Sequence, residues 1–127
     1  MDNNISLFSQ KKSMPQILLL PTCKGIEVID ISTIVRVEAI SNYSKLFFSN
    51  GKSLVVAKVL HWFEATFAKA SAAEGGEAFF RIHRTHLVNR KFIQCYHSGK
   101  VKLHNGELID VAKRKKSYFL KCWYAAA

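Results

Sequence analysis

The sequence has no apolar run near the roughly 18–20 residues that a membrane-spanning helix needs, so no segment reads as one. The run Ile17-Leu18-Leu19-Leu20 is too short for a signal-peptide core, and no small-residue cleavage pattern follows it. A cytoplasmic protein is the expectation. Cysteine is scarce: Cys23, Cys95 and Cys122 are odd in number and unrelated in spacing. They read as reduced, mostly buried thiols and not as a disulfide framework. There is no glycine-rich phosphate loop. The acids Asp30, Glu38, Glu64, Glu107 and Asp110 are scattered without paired-carboxylate spacing. His83-x-x-His86 and Cys95-x-His97 fit no standard zinc spacing. Enzyme, metal and cofactor readings are therefore thin, and none of the three is expected.

The last absence is local. Between Arg81 and Lys121 acids nearly vanish: two stand against eleven Lys and Arg, a balance of +9. Residues 1–80 carry a balance of only +1, so almost all of the chain's +10 lies in its C-terminal third. Such asymmetry fits a polyanionic partner, with nucleic acid ahead of an anionic membrane surface. The most informative basic stretch is FFRIHRTHLVN, residues 79–89. Phe80 and Ile82 alternate with Arg81 and His83, the period of a strand that buries one face and shows the other.

At 127 residues and 49% hydrophobic content, the chain is long enough for one domain with a real core. Residues 1–15 are polar and read as a flexible arm, and residues 16–124 as the domain. Strands are expected over 16–20, 26–29, 34–39, 45–49, 53–57, from 79 onward, and over 92–97, 100–103 and 107–111. Asn50-Gly51, Ser98-Gly99 and Asn105-Gly106 supply hairpin turns, and Asp30-Ile31-Ser32 a capped helical turn. Residues 41–44 read as a polar loop. Val59, Phe63 and Phe67, with Leu60 beside them, predict an amphipathic helix over 58–70. A flexible loop with Gly75-Gly76 follows over 71–78, and a final helix is expected over 113–123. The fold class is α+β, mostly β, with one central and one C-terminal helix.

Three groups of residues stand out. Lys113-Arg114-Lys115-Lys116 opens the last helix, where the dipole favours acids, and Asp110 offsets this only partly. An anion at that helix end would explain the cluster, a solvated basic surface being the plainer reading. Arg81, His83, Arg84 and His86, with Arg90-Lys91 beyond, offer donors to phosphates or guanine edges. His83 reads equally well as a structural histidine. Asn42, Tyr43, Ser44 and Lys45 form a polar stretch that reads either as an ordinary turn or as a contact loop. Two other classes compete with nucleic-acid binding. One is a metal-independent nuclease with His83 and His86 as base and acid, whose convergence the pattern does not establish. The other is a basic protein-interaction module that meets an acidic partner.

The same residues carry a family resemblance. FFRIHRTHLVN matches F-x-R-x-H-x-S-x-L-V-N. Val37-Glu38-Ala39 precedes Asn42-Tyr43, Asn50-Gly51-Lys52 makes a hairpin, and LHNGELIDVAKRKK spans residues 103–116. In this order and spacing they resemble the LytTR DNA-binding domain of bacterial response regulators, over about residues 17–121. The resemblance implies an elongated, mainly β fold. In it, loops and strand ends, not a recognition helix, enter successive major grooves of double-stranded DNA. It implies transcription regulation without catalysis, in the cytoplasm at the nucleoid. It places DNA contacts in residues 42–45, at Arg84, and at Lys113 and Arg114, within the three groups already singled out. On this reading Arg84 and residues 42–45 read base edges. Lys113, Arg114, Lys115, Lys116 and Arg81 position the DNA backbone, and His83 divides between structure and phosphate contact. Members often bind direct repeats, which implies a second copy of the chain beside the first on DNA without a strong free dimer. The chain departs from the pattern at Thr85, where Ser is usual, and at His86, where Tyr or Phe is. It departs again at Ala112, where Ser is common, and at Lys113, where Arg is. LytTR domains often follow a receiver domain. With about 15 residues ahead of the first strand, the expectation is a stand-alone regulator or an excised C-terminal domain.

Overall fold

Hairpins follow one another along this chain because apolar alternation is broken every few residues by a short turn. The computed structural model describes residues 16–72 and 78–126. Strands β1 (Ile17–Thr22) and β2 (Gly25–Asp30) form the first hairpin. Strands β3 (Ile34–Ile40), β4 (Tyr43–Phe48) and β5 (Ser53–Val56) form a meander, followed by helix α1 (Leu60–Ala72). Strands β6 (Phe79–His83) and β7 (His86–Asn89) form a second hairpin. Strands β8 (Ile93–His97), β9 (Lys100–Leu103) and β10 (Leu108–Asp110) lead into helix α2 (Lys113–Ala126). The five-stranded sheet has the order β5-β4-β3-β7-β6, the smaller one β10-β9-β8, and the pairings in both are antiparallel. The mostly-β α+β class and both expected helices are present. The arm expected over 1–15 lies outside the described residues, as does most of the loop expected over 71–78.

The large sheet is covered on both faces. On one, Leu18, Leu20 and Ile29 of the first hairpin and Leu60, Phe63 and Phe67 of α1 pack on Val37, Leu46, Phe79 and Leu87. Phe67 stacks on Phe79 at 4.1 Å between ring centroids. On the other, Val35, Phe80, Ile82 and Val88 meet Val101, Leu103 and Ile109 of the small sheet and Phe119 of α2. Burying each such side chain stabilises the fold by about 1.5–3 kcal/mol. A bulge between Ile34 and Arg36 turns Val35 to the second face, while Ile34 and Val37 keep the first. Two 3₁₀ turns, Ile31–Thr33 and Arg90–Phe92, are capped alike. Asp30 accepts from the Ser32 N–H, and the buried Asn89 accepts from the Lys91 N–H while donating to the Ile34 carbonyl at 2.9 Å.

Two expectations are corrected. The helix starts at Leu60, and its buried stripe is Leu60, Phe63 and Phe67; Val59 is 51% exposed. Val59 lies just ahead of the helix, where its carbonyl accepts from the Trp62 N–H at 3.0 Å, so the apolar face is counted from Leu60. The thiols are free, but Cys23 and Cys95 are exposed and Cys122 is half-buried. Cys23 sits in the β1–β2 turn and Cys95 beside the β8 bulge, positions that face outward.

A buried guanidinium joins the two sheets. Arg36 grips Glu107, in the β9–β10 turn, through Nε and Nη2, both at 3.0 Å, and reaches Glu38 through Nη1 at 2.9 Å. It lies 3.8 Å over the Phe47 ring. Burial works against its charge, but the two carboxylates outweigh burial and raise its pKa. Arg36 in turn holds the Glu107 carboxyl below the usual carboxylate range.

Candidate nucleic-acid interface

β3 ends where β4 and β7 begin and where β6 ends, so antiparallel pairing alone puts two turns at one end of the large sheet. The first is Ser41-Asn42, closed by the Ile40–Tyr43 pair, with Ser41 in the left-handed region at φ 55°. Asn42 and Tyr43 are exposed at its tip. Lys45, half-buried, sits across from Glu38 with Nζ 5.2 Å from the Phe47 ring centroid. The expected four-residue loop is thus a two-residue turn, and this removes one candidate contact. Ser44 is fully buried in β4, and its Oγ donates to the Lys58 carbonyl at 2.6 Å. It ties the sheet to the entry of α1 and has no surface to offer.

The second turn is Arg84-Thr85, between β6 and β7, and Arg84 is exposed on it. Its backbone is held from three sides. The Arg81 guanidinium donates to the His83 carbonyl at 3.1 Å and the Arg84 carbonyl at 2.6 Å, and it pairs with Glu64 of α1 at 2.8 Å. The Thr85 N–H donates to His83 Nδ1 at 3.2 Å, and Thr85 Oγ1 lies 2.9 Å from the same nitrogen. The Thr85 carbonyl accepts from the Ala39 N–H at 2.9 Å, which fixes this turn to the end of β3. Arg81, expected to meet the DNA backbone, is turned to protein partners. Its side chain is only 20% exposed, and its acid comes from 17 residues away, on the helix.

The third piece is the start of α2. The Ala112 N–H donates to the Ile82 carbonyl and the Val111 N–H to the Gly99 carbonyl, both at 2.8 Å. These bonds bring Lys113, Arg114 and Lys116, all exposed, to the end of the sheet that carries Arg84. The first turn of the helix contains no acid. Asp110 does not offset this charge: it pairs with Lys100, whose hydrogen bond and charge hold its carboxyl low. Lys115 is half-buried and, with Arg81, Glu64, Arg114 and Tyr118, lines a groove of about 350 Å³ between the two helices. Arg90-Lys91 lies at the far end of β7, away from this cluster.

His83 and His86 face each other across the hairpin with ring centroids 5.5 Å apart. Here His83 Nδ1 is engaged by Thr85, and His86 Nδ1 is buried without a hydrogen-bond partner. Burial lowers the His86 pKa, with Glu38 pushing the other way and Arg36 and His83 adding to the fall. Among the described residues no group of three or more His, Cys, Asp or Glu is placed to hold a metal ion. Among them, no helix is long and apolar enough to cross a membrane. The Arg36–Glu38–Glu107 tie, the Arg81–Glu64 brace and the Lys100–Asp110 pair do not emerge from charge counting. The one signal for the first is a pair of charges, Arg36 and Glu38, inside the apolar strand IVRVEAI.

The comparisons with known proteins point one way. No curated protein matches the sequence. Among solved structures, a LytTr DNA-binding domain of a putative methyl-accepting/DNA response regulator from Bacillus cereus superposes with a TM-score of 0.66 at 22% identity. The match covers 86% of this chain and 97% of that one, and it shows the fold. Residues 24–123 match the family described as the LytTr DNA-binding domain. The chain belongs to the LytTR DNA-binding domain family.

Proposed function

We propose that the chain binds double-stranded DNA sequence-specifically and regulates transcription, presenting the turn-bearing end of the large sheet to the major groove. One observation carries the reading: three basic or polar segments, far apart in sequence, meet at one end of the fold. Main-chain bonds from Ala39 to Thr85 and from Ala112 to Ile82 lock them together. A preorganised cluster of this kind loses little freedom when it docks. Arg84 has the donor fork for a guanine edge, and Asn42, Tyr43 and Lys45 stand beside it to touch bases or sugar-phosphate. Lys113, Arg114 and Lys116 take phosphates, helped by the first-turn amides of α2. Lys115 contributes from the groove wall. His83 shapes the turn from within through Thr85, and Arg81 braces it.

Repeated sites would seat two copies side by side, and such a regulator works in the cytoplasm on the nucleoid. The test is a mobility shift against excess non-specific competitor across a salt series. If roughly six phosphates are neutralised, log K falls with log salt at a slope of about −5. A slope near zero would remove the electrostatic basis of the reading. Plasmid incubated with the protein and chelator stays intact; nicking would revive the nuclease.

A further inference from the structure

Helices α1 and α2 flank the outer strand of the large sheet, β6. Phe67 of α1 packs on one face of the sheet and Phe119 of α2 on the other, so the two helices overhang the edge of β6. Between them lies the groove of about 350 Å³. It stays open because α1 turns small side chains to it. Ala65 and Ala68, three apart on one helix face, line it, with Ala78 at the sheet edge. The stacked pair Phe67 and Phe79 closes its floor. The rim, by contrast, is charged. Arg81 is matched there by Glu64 at 2.8 Å. Arg114 and Lys115 of α2 have no ion pair among the described residues. Lys115 is half-buried, and lysine is rarely drawn out of water unless an acid pairs with it.

We propose that this groove binds a small organic anion, a carboxylate on a flat apolar body. Two features select that chemistry. The apolar floor and the small side chains of α1 leave a slot for a ring. The two cations without an acid supply the counter-charge, Arg114 through its planar fork and Lys115 as a point charge. The volume lies at the lower end of small-molecule sites, about 300–1,000 Å³, so the body is one or two fused rings and not a nucleotide. A DNA phosphate answers only half of this description, because it brings no apolar body into the slot. The consequence for DNA rests on the DNA-binding reading. Arg114 and Lys115 are two of the phosphate contacts in that reading, and a carboxylate held between them withdraws their charge from the duplex. Ligand and DNA therefore oppose each other, and by linkage each weakens the other by the same factor.

Titration of naphthoate into the full chain without DNA, followed by amide chemical shifts, tests the site. Saturable shifts are expected at Ala65, Ala68 and Ala78, with a Kd of about 1 mM or tighter for a ligand of this size. Naphthalenemethanol, which lacks the charge, and inorganic phosphate, which lacks the body, should each bind at least about tenfold more weakly. Ala68→Phe fills the groove and should abolish the shifts while keeping DNA affinity, with Ala65→Leu as the replacement should Ala68→Phe not fold. Lys115→Met should weaken naphthoate about tenfold and leave the alcohol unchanged. Saturating naphthoate should lower wild-type affinity for a specific duplex about tenfold and leave that of the groove-filled variant unmoved. Absence of saturable shifts, shifts centred away from the groove, equal binding of acid and alcohol, or wild-type binding by a folded groove-filled variant overturns the proposal. Duplex affinity unmoved by naphthoate bound in the groove overturns the opposition to DNA. Naphthoate binding by a chain that binds no DNA would instead sink the DNA-binding reading and leave this site standing.

Discussion

Replacing Arg81 by methionine separates a brace from a DNA contact. The guanidinium makes two bonds to the carbonyls of the turn that carries Arg84 and one to Glu64. Each carbonyl bond from a charged donor at a partly wet site is worth about 1 kcal/mol. The ion pair adds less than about 1 kcal/mol, because the Glu64 side chain is 41% exposed and water screens it. Methionine keeps much of the aliphatic packing of the stem. The expected loss is therefore about 2 kcal/mol, which for a domain of this size lowers Tm by about 8 °C. Thermal unfolding followed by circular dichroism reads the first quantity, and mobility shifts across a salt series read the second. A brace gives a lower Tm, weaker specific binding through a loosened turn, and an unchanged salt slope. A phosphate contact gives an unchanged Tm and a slope smaller by about 1. The second pattern would refute the reasoning from the Arg81 geometry.

Arg84→Ala should leave Tm unchanged and cost about 1–3 kcal/mol on the cognate site, with a much smaller loss on random DNA; equal losses on both would demote Arg84 to a phosphate clamp. Lys113→Ala and Arg114→Ala should each weaken binding to all sequences alike and reduce the salt slope by about 1, as competition titrations would show. Acid should destabilise the domain in two stages. His86, lowered from 6.5 chiefly by burial, is neutral when folded and charged when unfolded, so stability falls as pH drops from about 6.5 toward its folded pKa. Glu107 is held low first by its Arg36 hydrogen bonds, so its contribution is complete above about 4.3 and lost as pH falls through the folded value. Urea titrations should show His86→Phe removing the upper stage and Glu107→Gln the lower; an unchanged profile in both would contradict these assignments.

The features legible in the sequence are local ones. Alternation and two-residue turns place most strands within a residue or two; the Phe79–Asn89 stretch reads from its short-range period only as a strand entering a turn, where the structure has a hairpin with Phe80, Ile82, Leu87 and Val88 inside. Charge asymmetry and the family pattern single out Arg84, Asn42 and Lys113 without any knowledge of tertiary contacts. The features that are not legible depend on partners brought from a distance. Ser44 looks like a polar loop residue until the carbonyl of Lys58, 14 residues on, takes its hydroxyl. Arg81 looks free because its acid lies on α1, and Arg36 meets Glu107 across 71 residues. Val59 misleads for a smaller reason: a helix boundary shifted by two residues changes which apolar side chain starts the stripe.

The most direct measurement is selection of bound sequences from a random DNA pool by the purified chain and by its Arg84→Ala variant. The expected result is a defined motif for the wild type, present in repeated copies in the tightest ligands, with preference at one position relaxed in the variant. A pool that shows no enrichment, or a motif identical for both proteins, would contradict sequence reading by the end of the sheet that carries Arg84.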